Sequence, residues 1–331
     1  MQKQNSYYTK KNITTLIFIL VSNFFILLPS ITFSKDEVLN LYTARHYSSD
    51  KAIYKKFTKK TGIKINEISS KDQALLERIK SEGSASPADV IILADAARLW
   101  RAENSNFFQD HKSEIISKKV PKKFQSGQKW TGLTFRARII VFNKRRFGSE
   151  KVKTYQDLAK PIFKNQFCSR SSTHPYMLSL VSSVMINNGK EATENWGVKL
   201  VENQARTPRG GDTNQIRAVA SGECGVAVTN SYYLVRLMRS SNIKDRTAVK
   251  KISYVLPNQN SSGTHINVTG GGIAKNSPNP ESAKLFLEFL ISDEIQSLFA
   301  KGNNEWPIIE NVPLNNSKLS SLGKFKKDSL Q

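Results

Sequence analysis

At 331 residues, with 39% hydrophobic and 9% aromatic content, the chain has the composition of a folded protein, which excludes intrinsic disorder and allows two domains or one large domain in two lobes. A formal net charge of +23, from 50 Lys and Arg against 27 Asp and Glu, invites a nucleic-acid reading. The cations, however, are scattered through separate segments (Lys55-Lys56, Lys59-Lys60, Lys118-Lys119, Lys122-Lys123, Lys144-Arg145-Arg146, Lys250-Lys251) without a nucleic-acid motif, so they read as solvated helix faces with at most a weak pull toward an anionic membrane surface.

Lys3, Lys10 and Lys11 precede an uncharged stretch over 12–34 whose apolar heart is Leu16-Ile17-Phe18-Ile19-Leu20-Val21 and Phe24-Phe25-Ile26-Leu27-Leu28. Pro29 breaks this run, and Thr32 and Ser34 supply small residues at the −3 and −1 positions of a cut near Ser34. Residues 1–34 therefore read as a cleaved secretory signal peptide. The rival is an uncleaved anchor, for which Thr14-Thr15, Ser22, Asn23 and Pro29 are poor material. Cleavage removes those three lysines from +23 and leaves +20.

From residue 37 short apolar strands alternate with amphipathic helices, the pattern of a doubly wound α/β layer. Strands are expected over 38–43, 63–68 and 88–93. Ser48 or Ser49 caps a helix running to Lys60 and stopped by Gly62, and Ser70 caps another with Ala74, Leu75 and Ile79 in its apolar stripe. A long strand over 132–143 leaves this first unit. A second unit follows, with a strand near 166–168, helices over 176–186 and 191–201, and a helix from Asp212 whose Gln215 fits a capping box. The run over 224–229 reads as a buried strand handing over to a helix capped by Asn230 or Ser231. A return strand over 265–269 and a helical tail over 280–300 close the chain, and no internal repeat is evident. The only cysteines, Cys168 and Cys224, suggest one disulfide in an oxidising compartment; two buried thiols are the alternative.

Three strand-to-helix junctions carry tyrosine: His46-Tyr47, His174-Pro175-Tyr176 and Tyr232-Tyr233. That is the usual ligand position in open α/β sheets. If the two units face each other, four phenols converge there with His46 beside them. Phenolates are hard oxygen donors suited to a trivalent cation, whereas zinc or copper would take imidazoles or thiolates. Four phenolates on Fe(III) leave an excess of one negative charge, which Arg236, or Arg136 or Arg138 on the long strand, would balance. The plainer reading of Tyr232 and Tyr233, helix packing against a sheet, stays open on these grounds.

Five segments carry a resemblance: Leu41-Tyr42-Thr43-Ala44-Arg45-His46-Tyr47, Gly132-Leu133-Thr134-Phe135-Arg136-Ala137-Arg138, Asn230-Ser231-Tyr232-Tyr233, Gly270-Gly271-Gly272-Ile273-Ala274 and Asn304-Glu305-Trp306-Pro307. Through them residues 37–311 resemble the periplasmic ferric-ion-binding proteins of ABC iron importers, especially the cyanobacterial type. The resemblance implies a type II periplasmic-binding-protein fold, two doubly wound lobes joined by two crossover strands, with 35–135 and 270–331 in the first lobe and 136–269 in the second. It implies Fe(III) as ligand, the paired tyrosines at Tyr232 and Tyr233, their partner at Tyr176, and the first-lobe position at His46 and Tyr47. Many members also bind a synergistic anion such as carbonate or phosphate; the extra phenol of Tyr47 can make that anion dispensable. It further implies a monomeric periplasmic carrier that binds no nucleic acid and delivers to an ABC permease. The alternative is an anion or small-solute binder of the same fold. No G-x-S-x-G, H-E-x-x-H or P-loop is present, so no enzyme is expected.

Overall fold

The computed structural model describes residues 38–45 and 47–329; the signal peptide read at 1–34 and the candidate ligand His46 lie outside the described residues. β1 (Val38–Thr43) pairs in parallel with β2 (Lys64–Ser69) and with β3 (Val90–Leu93), whose four residues are all buried. Between them run α1 (Asp50–Thr61) and α2 (Asp72–Glu82). Gly62 ends α1 in the left-handed conformation (φ 82°) that favours glycine, as its position after the lysine pair leads one to expect. Ser49 does stand at the α1 N-cap, though its side chain makes no capping bond; for α2 the cap is Lys71 rather than Ser70. α3 (Ala96–Asn104) starts on a true side-chain cap, Asp95 accepting from the Ala97 amide at 3.0 Å. α4 (Glu114–Lys119) and the short β4 (Gln125–Ser126) lead to β5 (Trp130–Asn143).

β5 organises the molecule. All of its 14 residues are buried, and it changes partners midway. Thr131 to Ala137 pair antiparallel with β9 (Ile266–Ile273), while Arg138 to Phe142 pair antiparallel with β7 (Val226–Asn230). The strand order is β2-β1-β3-β9-β5-β7-β6, with β6 (Phe167–Cys168) at the far edge and β8 (Ile252–Val255) also on β5. Helices α5 (Pro175–Asn188), α6 (Lys190–Glu202), α7 (Asp212–Ser221), α8 (Ser231–Met238) and α9 (Ile243–Lys250) belong to the second half of this order.

Around α7 the expected box is built differently. Gly211 is the N-cap and Asn214 accepts from its amide at 3.0 Å, while Gln215 turns back onto the Arg209 carbonyl at 2.7 Å. The tail is not one helix but two, α10 (Pro280–Leu290) and α11 (Asp293–Asn303), followed by β10 (Trp306–Pro307) on β5 and α12 (Ser317–Ser320). Glycine in β9 answers to close packing, since a Cβ on Gly272 would lie 2.3 Å from the Lys129 carbonyl oxygen. Cys168 and Cys224 form a buried disulfide that ties β6 to the approach of β7.

Candidate metal centre

Each candidate phenol stands at an element boundary. Tyr232 and Tyr233 are the second and third residues of α8, directly after β7, and Tyr47 falls between β1 and α1. Tyr176 is the second residue of α5, behind Pro175. Helix N-termini present amide hydrogens and the positive end of the helix dipole, which favours anionic oxygen. His174 caps α5, its Nδ1 accepting from the Tyr176 amide at 3.2 Å while its ring meets the Tyr176 ring edge-on at 4.7 Å. Burial, then the Arg170 charge, pushes the His174 pKa down to about 4, and a neutral imidazole is what that acceptor role needs.

The structure brings the four phenols together. The Oη atoms of Tyr176 and Tyr232 are 3.3 Å apart. The Tyr232 ring packs 4.1 Å from Tyr233 and edge-on at 6.1 Å from Tyr47. Tyr232 is buried, and Tyr47, Tyr176 and Tyr233 are half-buried. Burial raises the pKa of Tyr47, Tyr176 and Tyr232 above that of a free phenol. For Tyr232 the neighbouring phenols add to the rise; for Tyr176 the Arg136 guanidinium opposes it. An empty site therefore holds these three as phenols at neutral pH. Among the described residues no group of three or more His, Cys, Asp or Glu side chains gathers as a metal site.

Arginines surround the phenols, in a distribution the sequence conveys only in part. Arg136, Arg138 and Arg170 lie over the Tyr176 ring at 5.5, 5.9 and 5.1 Å. Arg138 already has a carboxylate partner, which it shares: it donates to the buried Asp212 at 2.6 Å, and Arg170 reaches the other oxygen of the same carboxylate at 3.3 Å. Arg136 instead donates to the Thr269 hydroxyl at 2.9 Å and to the Ala94 carbonyl, and among the described residues it forms no ion pair with a carboxylate. Arg236 covers the Tyr233 ring at 4.8 Å and donates to Thr213 at 2.8 Å, but its side chain is exposed. The i to i+4 spacing points to Tyr232 as its neighbour, whereas the ring it covers is that of the residue three before it.

Sequence reasoning passed over four participants. Arg45 stacks on Tyr47 at 4.9 Å and is clamped by Asp50, with Nε to Oδ2 at 2.7 Å and Nη2 to Oδ1 at 3.2 Å. Glu305, 1% exposed, accepts from Thr134 Oγ1 at 2.7 Å, from Tyr47 Oη at 3.1 Å and from Arg45 Nη1 at 3.3 Å. Arg45 and Glu305 both lie inside segments that carry the resemblance, which was their available signal; Arg170 and Asp212 carry none.

Comparison with known proteins gives a consistent picture. Residues 52–327 match the family described as bacterial extracellular solute-binding proteins. The Iron uptake protein A1 of Synechocystis sp. is 45% identical over 296 residues, covering 89% of this chain and 82% of that protein. The Trichodesmium IdiA (FutA) structure, in complex with iron and citrate ligands, superposes with a TM-score of 0.84 at 46% identity over 88% of this chain and 92% of its own. The ferric binding protein from Campylobacter jejuni reaches 0.83 at 40% identity, covering 88% and 93%. The architecture is that of type II solute-binding proteins, a mixed α/β sheet flanked by helices, as the resemblance implies.

Proposed function

This chain belongs to the bacterial extracellular solute-binding proteins, among their ferric-ion-binding members, and we propose that it captures Fe(III) as cargo through Tyr47, Tyr176, Tyr232 and Tyr233. The observation that carries this reading is the convergence of four phenols from three element boundaries into one arginine-rimmed site. His46 is a fifth donor beside Tyr47 in sequence. In this reading the lobes, 35–135 with 270–331 and 136–269, close over the ion, which is how a small ligand holds a closed state.

Binding converts phenols to phenolates, and four of them around Fe(III) leave one negative charge in excess. Arg136 is the best placed of the three candidate guanidiniums to balance it, because it is buried beside Tyr176 and forms no ion pair among the described residues, while Arg138 is held by Asp212 and the Arg236 side chain is exposed. The protein is a binder and not an enzyme, in keeping with its relatives. We place it outside the cytoplasm as a monomer, its leader cut near Ser34, handing iron to an ABC permease; the buried disulfide suits an oxidising compartment.

The test is the metal content and visible spectrum of the exported protein. Iron-loaded protein should show a phenolate-to-iron charge-transfer band, and Tyr232→Phe or Tyr233→Phe should remove most of it together with much of the affinity. Unchanged iron binding in both variants would defeat the site. A colourless protein that binds phosphate or a sugar would establish the small-solute alternative.

A further inference from the structure

Cations that are scattered along the sequence meet on one face of the fold. At the C-terminal end of α7, Arg206 and Arg209 converge on Glu223 at 2.8 and 3.0 Å, and Arg217 pairs with Asp245 at 2.7 Å. Arg146 donates to the Gly222 carbonyl at 2.6 Å, and Lys144 Nζ reaches the Lys250 carbonyl at 3.3 Å. A depression of about 470 Å³ joins Arg206, Arg209 and Arg217, and a second of about 330 Å³ joins Arg217 to Lys244 and Lys251. With Arg145 and Lys250, nine cations from four chain segments share this face with two carboxylates, Glu223 and Asp245; eight of the nine are exposed and Arg206 is half-buried.

Complementing the α7 dipole accounts for one or two of these charges, since that effect is confined to the last turn. It does not account for those arriving from the end of β5 and the end of α9. Ile243 stands 62% exposed in the second depression, and no exposed aromatic side chain of the kind that stacks on nucleic-acid bases is among the residues of this face. Asp212, the first residue of α7, is the buried partner of Arg138 and Arg170 beside Tyr176, while the basic face surrounds the last, Ser221, about 15 Å further along the axis. None of its nine cations touches a phenol.

We propose that this face rests on the anionic phospholipid headgroups of a bilayer and holds the carrier at the membrane surface. The proposal adds to the iron-binding reading and depends on it only for the export that brings the protein to such a surface. Each lysine or arginine near an anionic bilayer contributes roughly a fivefold gain in partition, and Ile243 can enter the headgroup zone.

Sedimentation with vesicles tests it, using phosphatidylglycerol mixed into phosphatidylcholine against phosphatidylcholine alone. The intact mature chain should bind only the anionic vesicles, and be released as salt rises toward about 0.5 M, where the screening length shrinks to a few ångströms. The variant K144E/R145E/R209E/K250E/K251E should lose at least tenfold in partition. K51E/K55E/K59E/K60E/K80E, with the same net charge, should bind close to the parent. Both should still bind iron, which certifies their folding and separates failure here from failure of the iron site. The proposal is overturned if the parent ignores anionic vesicles, if both variants lose binding equally, or if only a soluble polyanion such as heparin is bound.

Discussion

Tyr47 donates its phenolic hydrogen to Glu305 at 3.1 Å across 258 residues of sequence. The same carboxylate takes the Thr134 hydroxyl and one arm of Arg45, whose other edge is held by Asp50. The tail after α11 therefore fixes the one candidate phenol that comes from the start of the chain, and it does so with a negative charge that disfavours the phenolate.

That charge makes Glu305→Gln informative. Tyr47 is raised first by burial and then by Glu305, with Arg45 opposing. The amide oxygen can still accept from Arg45 and Thr134, but the charge against the phenolate is gone. Iron should then survive to more acidic pH, the release midpoint moving down by roughly half a unit, ~0.7 kcal/mol. Folding stability should fall by about 1–3 kcal/mol as Arg45 loses part of its buried pairing. A midpoint that stays put or rises would show that Glu305 does not set the Tyr47 equilibrium.

Iron uptake should release protons. With Tyr47, Tyr176 and Tyr232 raised above the free phenol, all three are protonated across the neutral range and must ionise to bind Fe(III). Titration in weak buffer with a ferric chelate, corrected for the chelator, should return at least three protons per ion. Affinity for the free ion should fall with acidification by roughly tenfold per phenol per pH unit. A stoichiometry near one would mean that most of these tyrosines only pack.

Charge balance separates two arginines. Arg136→Met removes a buried guanidinium beside Tyr176 and should weaken Fe(III) binding by about 10- to 100-fold, ~1.4–2.8 kcal/mol, moving iron release to higher pH because the phenols reprotonate more readily. Arg136→Lys should recover much of this. Arg236→Ala, at an exposed side chain, should change affinity less than threefold, in the range of surface ion pairs. Equal losses in the two variants would contradict the assignment to Arg136.

The alternation of strands and helices was legible because each buried strand is short and apolar and each helix carries an apolar stripe; β3 and α1 are where the pattern puts them. The tyrosines were legible for a related reason: strand-to-helix junctions are recognisable in sequence, and Tyr47, Tyr176 and Tyr232 stand at three of them. The support around them was not. Glu305 and Arg45 meet only because β10 pairs with β5 in register at Phe135, a long-range fact that no local pattern encodes. Asp212 looks like an ordinary helix-opening acid, and burial beneath Arg138 and Arg170 is what gives it another task. Likewise the basic pairs look like separate solvated faces until α7, α9 and the end of β5 bring several of them together.

His265 gives the fold a dependence on pH that owes nothing to iron. It is 7% exposed at the entry to β9, its Nε2 lies 2.8 Å from Ser179 Oγ, and its amide donates to the Tyr155 hydroxyl at 3.1 Å. Burial, with the charges of Arg138 and Arg136 behind it, pushes its pKa down to about 3. The unfolded chain binds that proton near pH 6.5, so the folded state keeps the full benefit of a neutral His265 above pH 6.5 and loses it progressively as the pH falls toward 3. Between pH 7 and pH 5 this residue alone should cost about 2 kcal/mol of stability. His265→Gln should be less stable than the parent at pH 7, through imperfect replacement of the Ser179 contact, yet lose about 2 kcal/mol less than the parent on moving to pH 5. The variant should not become flat with pH, because His174, pushed down to about 4, contributes in the same direction. Denaturant unfolding of iron-free protein at the two pH values measures both numbers, and a parallel loss in parent and variant would show that His265 is not the group responsible.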